Sequence, residues 1–412
     1  MFTDNAAFRP LASRQFRLIW AGALVSNVGT WMETVALASL VAARTRSATQ
    51  VAIAAIAGFL PVAFASPIGS AIADRLDRRR FLIGTLALET GFAALLTILV
   101  AFGERRTLVL SLVVFAASIV SAGAMPNRQA VLPSLVSRED LPAAVSLGSA
   151  SWNGGRVFGP ALASLVALIG PAWAFAANTV SFVVLLVAWR FVRLPPLPKD
   201  SSGVGLAESL RVGIRVIRAD RRMSFAVALI AMLAGTAGPF IGLLAIMAKN
   251  VHSGGAGITG IFVSSQGFGA VVGALAMARL SERFGRGRAM LGYLFVLMPS
   301  LGVYAIAPNP AVAAVALVLV GGSYMGAFSG AQATLQLHSP PELRARVLAL
   351  FSVALGAAYC SGLAFHGPIG DWIGVREVTL IQAGTCVLGV AFLAIRYPKW
   401  WTWVAAESSP DR

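Results

Sequence analysis

The chain is built from long apolar runs, most of them about 20 residues or more, separated by short polar segments. An α-helix rises about 1.5 Å per residue, so about 20 apolar residues cross the hydrocarbon core of a bilayer. Of 412 residues, 57% are hydrophobic and 12% are charged, whereas a soluble domain has about 25% charged residues. The sequence therefore predicts an all-α, multi-pass protein of the inner (cytoplasmic) membrane.

Twelve apolar runs are long enough to be membrane spans. The predicted boundaries are 17–43, 48–73, 80–102, 107–127, 142–169, 172–191, 223–249, 256–279, 288–307, 311–336, 345–369 and 376–396.

The distribution of basic residues indicates the orientation of these spans. If both termini are cytoplasmic, 26 of the 33 Lys and Arg residues lie on the cytoplasmic side and 6 on the other, with Arg156 inside a span. Cytoplasmic loops are enriched in Lys and Arg, so the topology is predicted as N-in and C-in. The net charge of +16 comes from these separate clusters. It therefore gives no indication of nucleic-acid binding.

The longest polar gap divides the chain into residues 1–191, a linker at 192–222, and residues 223–412. Within the linker, one stripe of an amphipathic helix is apolar and the other is basic. The stripes are Leu206, Leu210, Ile214 and Ile217 against Arg211, Arg215, Arg218 and Arg222. Such a helix is expected on the inner leaflet, beside anionic headgroups. It serves either as a strap between the halves or in lipid sensing.

An internal repeat relates the two halves. The pattern acid–Arg–x–x–Arg–x–Arg occurs at 74–80 and again at 282–288, and the same offset relates Gly159-Pro160 to Gly367-Pro368. Two copies of a six-helix unit are therefore predicted, arranged as pseudo-symmetric bundles.

At these residues the chain resembles the major facilitator superfamily. The loop beginning Asp74-Arg75 is similar to that family's signature between helices 2 and 3, although Ser70 and Asp77 replace its glycines. Gly155-x-x-x-Gly159-Pro160 is similar to the fifth-helix motif of proton antiporters, without its final Gly-Gly pair. The opening 16–20 and the segment 26–29 look most like enterobactin exporters and macrolide-efflux proteins. The resemblance implies a monomeric transporter with alternating access.

Ionisable side chains at membrane depth are costly and tend to mark transport pathways. Glu33 in span 1, Glu89 in span 3 and Arg156 in span 5 are the candidates, with Asn153 and Asn27 as polar neighbours. Desolvation favours the neutral form of a carboxyl group, so Glu33 is the preferred proton-coupling or cation-binding residue. The alternative is that Glu33 or Glu89 forms an ion pair with Arg156 that only fixes helix packing. Asn27 also lies where a locally loosened first span could expose polar backbone.

A cytoplasmic gate is the second candidate site. Arginines at helix ends can bind carbonyl termini and carboxylates across the two bundles. The residues are Asp74, Arg75 and Arg78, with Glu282, Arg283 and Arg286 as their repeat counterparts. The alternative is a turn that only anchors topology.

The chain lacks the motifs of the common enzyme classes, of nucleotide-binding domains and of zinc sites. We therefore expect no enzyme activity, cofactor or resident metal. Three hypotheses remain: a proton-coupled exporter of amphipathic small molecules such as drugs or siderophores, an importer or lysophospholipid flippase, and a transport-inactive receptor or scaffold.

Overall fold

A computed structural model of the chain describes residues 7–65, 69, 77–104, 106–131, 134–192 and 206–403. These residues are helical with short connections and form no strands. The helices are α1 (Arg14–Thr45), α2 (Ala48–Phe59), α3 (Arg78–Ala101), α4 (Thr107–Val131), α5 (Leu141–Val166), α6 (Pro171–Arg190), α7 (Leu206–Ala219), α8 (Arg221–Thr236), α9 (Phe240–Asn250), α10 (Ala256–Phe284), α11 (Arg286–Ile306), α12 (Pro310–His338), α13 (Arg344–Ile373), α14 (Val375–Arg396) and α15 (Trp400–Trp403). Short 3₁₀ turns cover Arg9–Ala12 and Leu60–Ala63.

Helices occupy the position of every predicted span. Within the described ranges, ten are long and apolar enough to cross a membrane, with α8 and α9 counted together as one. The two other positions hold the shorter α2 with its 3₁₀ extension, and α5. The all-helical fold class is confirmed, and the number of twelve crossings stays a prediction.

The irregular backbone lies in the seventh predicted span instead of the first. Helix α1 is continuous from Arg14 to Thr45, so the expected loosening around Asn27 is wrong. The seventh span breaks at Ala237-Gly238-Pro239, between α8 and α9. Pro239 has no N–H to donate and its ring clashes with a preceding helical carbonyl. At the break, the N–H of Gly238 donates to the carbonyl of Leu233, five residues earlier, at 2.7 Å.

The helix ends gather on two opposite faces. On one face the Ser13 hydroxyl donates to the Leu135 carbonyl, and Arg222 hydrogen-bonds His338. We call this the terminal face, because the described ends of both halves lie there. On the opposite, distal face, the Asn250 amide donates to the Arg46 carbonyl, at 3.0 Å.

The buried core shows how the halves are joined. Around Leu82, Leu86 and Trp189, the N-terminal half has its own apolar cluster toward the terminal face. Toward the distal face, its buried residues, such as Val51 and Phe175, belong to one cluster with those of the C-terminal half. In the described part of the chain, the halves therefore share a core on the distal side and have separate cores on the terminal side.

The linker helix α7 packs against the C-terminal half. A Cβ added at Gly213 would lie 2.5 Å from Leu350 in α13, and Ile217 is buried beneath the helix. Arg211 and Arg215 are exposed, as the predicted basic stripe requires, but Ile214 of the predicted apolar stripe is 40% exposed. Arg222 lies in α8, outside the strap. Of the predicted apolar stripe, Ile217 is therefore buried and Ile214 is not, while the side chains of Leu206 and Leu210 lie outside the described residues.

Candidate functional site

The candidate site lies where α1, α5 and α10 meet, and glycines permit this approach. A Cβ at Gly155 would lie 2.8 Å from the Asn27 backbone, and one at Gly159 would lie 2.6 Å from Trp31. A Cβ at Gly267 of α10 would lie 3.1 Å from the Arg156 carbonyl oxygen. Small residues at these positions let the helix backbones come together. They also bring Arg156 to the contact between the two halves.

Arg156 is 8% exposed and contacts groups from both halves. Its Nη2 donates to the Gln266 Oε1, at 2.7 Å. Its Cζ lies 5.7 Å from the centroid of the Trp31 ring, a distance at which a cation is attracted to an aromatic face. Tyr324 and Tyr359 are near enough to interact electrostatically with the guanidinium. Among the described residues, no carboxylate lies within 4.0 Å of Arg156.

Glu33 lies in the packing seam between α1 and α6. Its Oε2 accepts a hydrogen bond from the Asn178 amide, at 2.7 Å. The Ser181 hydroxyl is 3.2 Å from the Asn178 Oδ1, which orients the amide nitrogen toward the carboxylate. One turn earlier, a Cβ at Gly29 would lie 2.3 Å from the Ser181 hydroxyl. Since Glu33 and Trp31 are two residues apart on one helix, Glu33 faces away from Arg156.

Glu89 forms a buried ion pair with Arg128 of α4. The Arg128 Nη2 lies 2.5 Å from the Glu89 Oε2, and the side chains are 26% and 2% exposed. The fourth predicted span ended at residue 127, so the sequence placed Arg128 in the loop that follows. The predicted alternative, an ion pair of Glu33 or Glu89 with Arg156, is therefore not formed. The three ionisable residues have three separate sets of partners.

The two asparagines differ in what they contact. Asn27 donates to the Ser151 hydroxyl, at 3.0 Å, and so helps to join α1 to α5. Asn153 donates to the Ser149 carbonyl of its own helix, at 2.9 Å. Its amide is therefore not directed at Arg156 or Glu33.

The predicted gate is described only in its second copy. Asp74, Arg75 and the side chain of Arg78 lie outside the described residues. Glu282 and Arg283 are exposed at the end of α10, with Arg283 over the Phe284 ring, and Arg286 begins α11 after Gly285. No described ion pair joins Glu282 or Arg283 to the other half.

A contact on the distal face was not predicted from the sequence. The Asp371 carboxylate, near the end of α13, accepts hydrogen bonds from the start of α2. Its donors are the Ser47 hydroxyl at 2.7 Å and the N–H groups of Ala48 at 2.5 Å and Thr49 at 3.1 Å. A carboxylate is favoured at a helix N-terminus by the helix dipole. Ser47 signals the helix start, but nothing in the sequence indicates an acidic partner over 300 residues away.

The architecture is similar to that of solved membrane transporters. The fold is similar to that of a bacterial homologue of the human lysosomal transporter Spinster, with a TM-score of 0.75, 14% identity, and coverage of 97% of this chain and 100% of that one. It is also similar to the nucleoside transporter NupG, with a TM-score of 0.74, 14% identity and 94% and 100% coverage. At 14% identity, these similarities show that the chain shares the fold of both transporters.

The sequence also identifies the family. Residues 5–410 match the profile of the family described as "Transmembrane secretion effector". The chain belongs to this family of the major facilitator superfamily.

Characterised proteins similar to this chain are efflux proteins or transporters. Macrolide efflux protein A of Streptococcus pyogenes is 25% identical over 390 residues, covering 92% of this chain and 95% of that protein. The multidrug efflux pump Tap of Mycolicibacterium fortuitum is 26% identical over 394 residues, covering 93% and 95%. The staphyloferrin A transporter of Staphylococcus aureus is 25% identical over 283 residues, covering 65% and 70%.

Proposed function

We propose that this membrane transporter exports an amphipathic small molecule, a drug or a siderophore, across the inner membrane in exchange for protons. The observation that carries the coupling part is Glu33, a carboxylate within a membrane helix whose described partner is a neutral amide. The macrolide, multidrug and siderophore proteins to which the chain is similar support export of amphipathic compounds.

The Glu33 site has the chemistry of a proton carrier. Desolvation favours the protonated carboxyl group, while the N–H of Asn178 favours the carboxylate. A cation in direct contact would hold the group ionised, but no described basic side chain lies within 4.0 Å of Glu33. The balance therefore depends on hydration, which changes when the helices around α1 move. Such a group takes up a proton in one transporter state and releases it in the other.

The arrangement of the cores supports alternating access. The halves share a core on the distal side and have separate cores on the terminal side. This is the packing expected when a central cavity opens toward the terminal face, the side that the positive-inside pattern predicts to be cytoplasmic. Export then requires the distal contacts to open and the terminal face to close.

We further propose that the terminal face is closed by the gate residues Asp74, Arg75 and Arg78 together with Glu282, Arg283 and Arg286. Asp74→Asn is expected to impair transport while the protein still inserts normally into the membrane. Transport at the wild-type rate in this variant would remove the gate from the proposal.

Everted vesicles that contain the protein test the coupling. Uptake of ethidium, a macrolide or a carboxylate siderophore should follow an imposed proton gradient, and Glu33→Gln should reduce that uptake to below about a tenth of wild type. Glu139→Gln is the matched control, because the Glu139 side chain is 84% exposed at the terminal face. Wild-type uptake in Glu33→Gln would contradict coupling at Glu33. Movement of labelled lysolipid alone would indicate a flippase. Transport of the substrate out of the everted vesicles would indicate an importer, and no movement of any compound would indicate a scaffold.

A further inference from the structure

We infer that Arg156, Gln266 and Trp31 form the recognition site for an anionic group, of the carboxylate type, on an aromatic or otherwise amphipathic substrate. This inference rests on the proposed function and adds the chemical class of the substrate. It concerns a part of the molecule separate from the Glu33 proton site, on the other side of α1.

The first argument is charge. Arg156 is always protonated in a protein, and a buried guanidinium costs several kcal/mol unless an anion compensates it. The described carboxylates that lie at similar depth are engaged elsewhere, Glu33 by Asn178 and Glu89 by Arg128. Gln266 supplies only the dipole of an amide. The charge therefore has no described internal counterpart, which a bound anion would provide.

The second argument is the excess of donors. The Nε of Arg156, the Nε2 of Gln266 and the Nε1 of Trp31 are all buried, and none has an acceptor among the described residues. Buried polar groups are nearly always hydrogen-bonded, so orphaned ones call for an explanation. Three N–H donors, on Arg156 and on the two side chains that contact it, suit a ligand with several acceptor oxygens. A carboxylate offers two oxygens and about four acceptor positions.

The third argument concerns the surrounding surface. The Trp31 ring makes an edge contact with Trp152, with their centroids 5.9 Å apart, and Trp152 is 46% exposed. Tyr359 packs against Phe59 of the other half, at 4.9 Å between centroids. Aromatic side chains bury large apolar areas and stack on other rings. The body of an amphipathic anion would therefore contact rings while its charge meets Arg156.

The fourth argument is position. Arg156 and Trp31 belong to the N-terminal half, whereas Gln266 and Tyr359 belong to the C-terminal half. A ligand bound here contacts both halves, so its binding energy depends on their relative position. That is what a transporter needs if the substrate is to bias the change between states.

Two probes that differ only in charge test this inference. Dansylglycine and dansylglycinamide have the same aromatic body, but only the first carries a carboxylate. Binding to the purified protein is measured by energy transfer from tryptophan to dansyl. We expect dansylglycine to bind at least about tenfold more tightly than the amide, since a charged hydrogen bond to a buried partner is worth about 1.5–3 kcal/mol.

Three variants identify the group that reads the charge. Arg156→Gln should remove the preference for dansylglycine, and Arg156→Lys should retain part of it. Gln266→Glu should also remove the preference, because an internal carboxylate then neutralises the guanidinium, and it should raise the thermal stability. Arg211→Gln is the control, since Arg211 is exposed on the strap and its loss leaves the preference unchanged.

The outcomes separate this inference from the proposed function. Three outcomes would overturn the anion site. The wild-type protein could bind the two probes equally, or bind neither at millimolar concentration. Alternatively, the preference for dansylglycine could be undiminished in both Arg156→Gln and Gln266→Glu. Proton-driven uptake of ethidium or a macrolide in everted vesicles would then still support export. Conversely, charge-selective binding without any proton-dependent uptake would retain the anion site and reject the exporter.

Discussion

The ionisable side chains within the predicted spans are stabilised in different ways. Glu89 and Arg128 neutralise each other across α3 and α4, at 2.5 Å. Glu33 has the Asn178 amide. Arg156 has the Gln266 amide and the Trp31 ring. A mutual ion pair needs no further counterion, whereas a charge held only by dipoles responds to hydration and to ligands. This difference favours a structural role for Glu89 and leaves Glu33 and Arg156 as functional candidates.

The structural role of Glu89 leads to a stability prediction. Glu89→Gln leaves the Arg128 guanidinium without its carboxylate and should destabilise the protein by about 3 kcal/mol, the low end for a broken buried pair, because a quarter of Arg128 is exposed. Thermal unfolding in detergent measures the change. Adding Arg128→Met should restore part of the loss, since it removes the unpaired charge.

The Glu104–Arg106 pair is the matched comparison. It has the same chemistry at 2.9 Å, but it is more exposed, with the Arg106 side chain 76% and the Glu104 side chain 17% exposed. Glu104→Gln should therefore cost at most about 1 kcal/mol. A loss in Glu89→Gln no larger than in Glu104→Gln would mean that the buried pair has no special structural weight.

The sequence identified the buried charges but not their partners. Glu33, Glu89 and Arg156 stand out because each lies within an apolar run, where ionisable residues are costly. Which acid meets which base depends on helix rotation and on packing between residues far apart in sequence. Arg128 was assigned to a loop because the span was predicted to end at 127, four residues before the end of α4 at Val131. Asn178 and Gln266 carry no charge, so they gave no comparable signal.

At the scale of helices, the closest seam lies between α10 and α12. A Cβ at Gly269 would lie 2.0 Å from the Val318 carbonyl oxygen, and one at Gly273 would lie 2.0 Å from that of Gly322. Contacts this short are impossible for a real Cβ, so the two backbones are in contact through their glycines. Helices in lipid associate through such close packing, because the lipid removes the hydrophobic driving force.

Substitution at this seam should be costly. Gly273→Ala forces the backbones of α10 and α12 apart, and overpacking of this kind costs about 1–3 kcal/mol. Gly302→Ala in α11 is the control, because a Cβ there meets no atom within 4 Å. It should stabilise the protein by about 0.5–1 kcal/mol, since alanine is the better helix former. Equal melting temperatures for the two variants would show that the seam tolerates separation.

Helix positions followed from the sequence more closely than helix irregularities. Long apolar runs fix a span because its length must match the bilayer. The break at 237–239 was missed, because Pro239 lies inside an uninterrupted apolar run. The amphipathic strap was found from its charge pattern, but the packing of Gly213 against Leu350 was not. A glycine contributes nothing to a hydrophobic pattern, so this contact could not be predicted from the sequence.

On the scale of the whole molecule, a small number of polar contacts join the two halves at the distal face, beside the apolar core that they share. Asp371 accepts three hydrogen bonds from Ser47, Ala48 and Thr49, and Asn250 donates to the Arg46 carbonyl. Below them, a Cβ at Gly367 would lie 3.0 Å from Ala52. These contacts must separate if the cavity is to open on the distal side. We therefore expect their strength to contribute to the equilibrium between the two states of the proposed cycle.

Weakening the Asp371 contact should shift that equilibrium. Asp371→Asn removes the negative charge from the N-terminus of α2 and replaces charge-assisted hydrogen bonds with neutral ones, a loss of about 1–2 kcal/mol. The population open at the distal face should then rise roughly 5- to 30-fold. Cysteine introduced at Ala52, which is 1% exposed, reports this opening through its rate of reaction with a membrane-impermeant maleimide. The native Cys360 and Cys386 are buried, and the chain without the added cysteine gives the background.

The comparison variant is Glu377→Gln, which removes an exposed acid from α14 on the same face without touching the contact to α2. Its labelling rate should equal that of the parent, while Asp371→Asn should label several times faster. The direction of transport gives an independent check, because a protein that favours the distal-open state must wait longer for its binding site to return to the terminal face. Export by Asp371→Asn should therefore slow even though the Glu33 and Arg156 sites are intact. If Asp371→Asn is labelled and exports substrate at the same rates as the parent protein, the distal contact is not what holds the halves together.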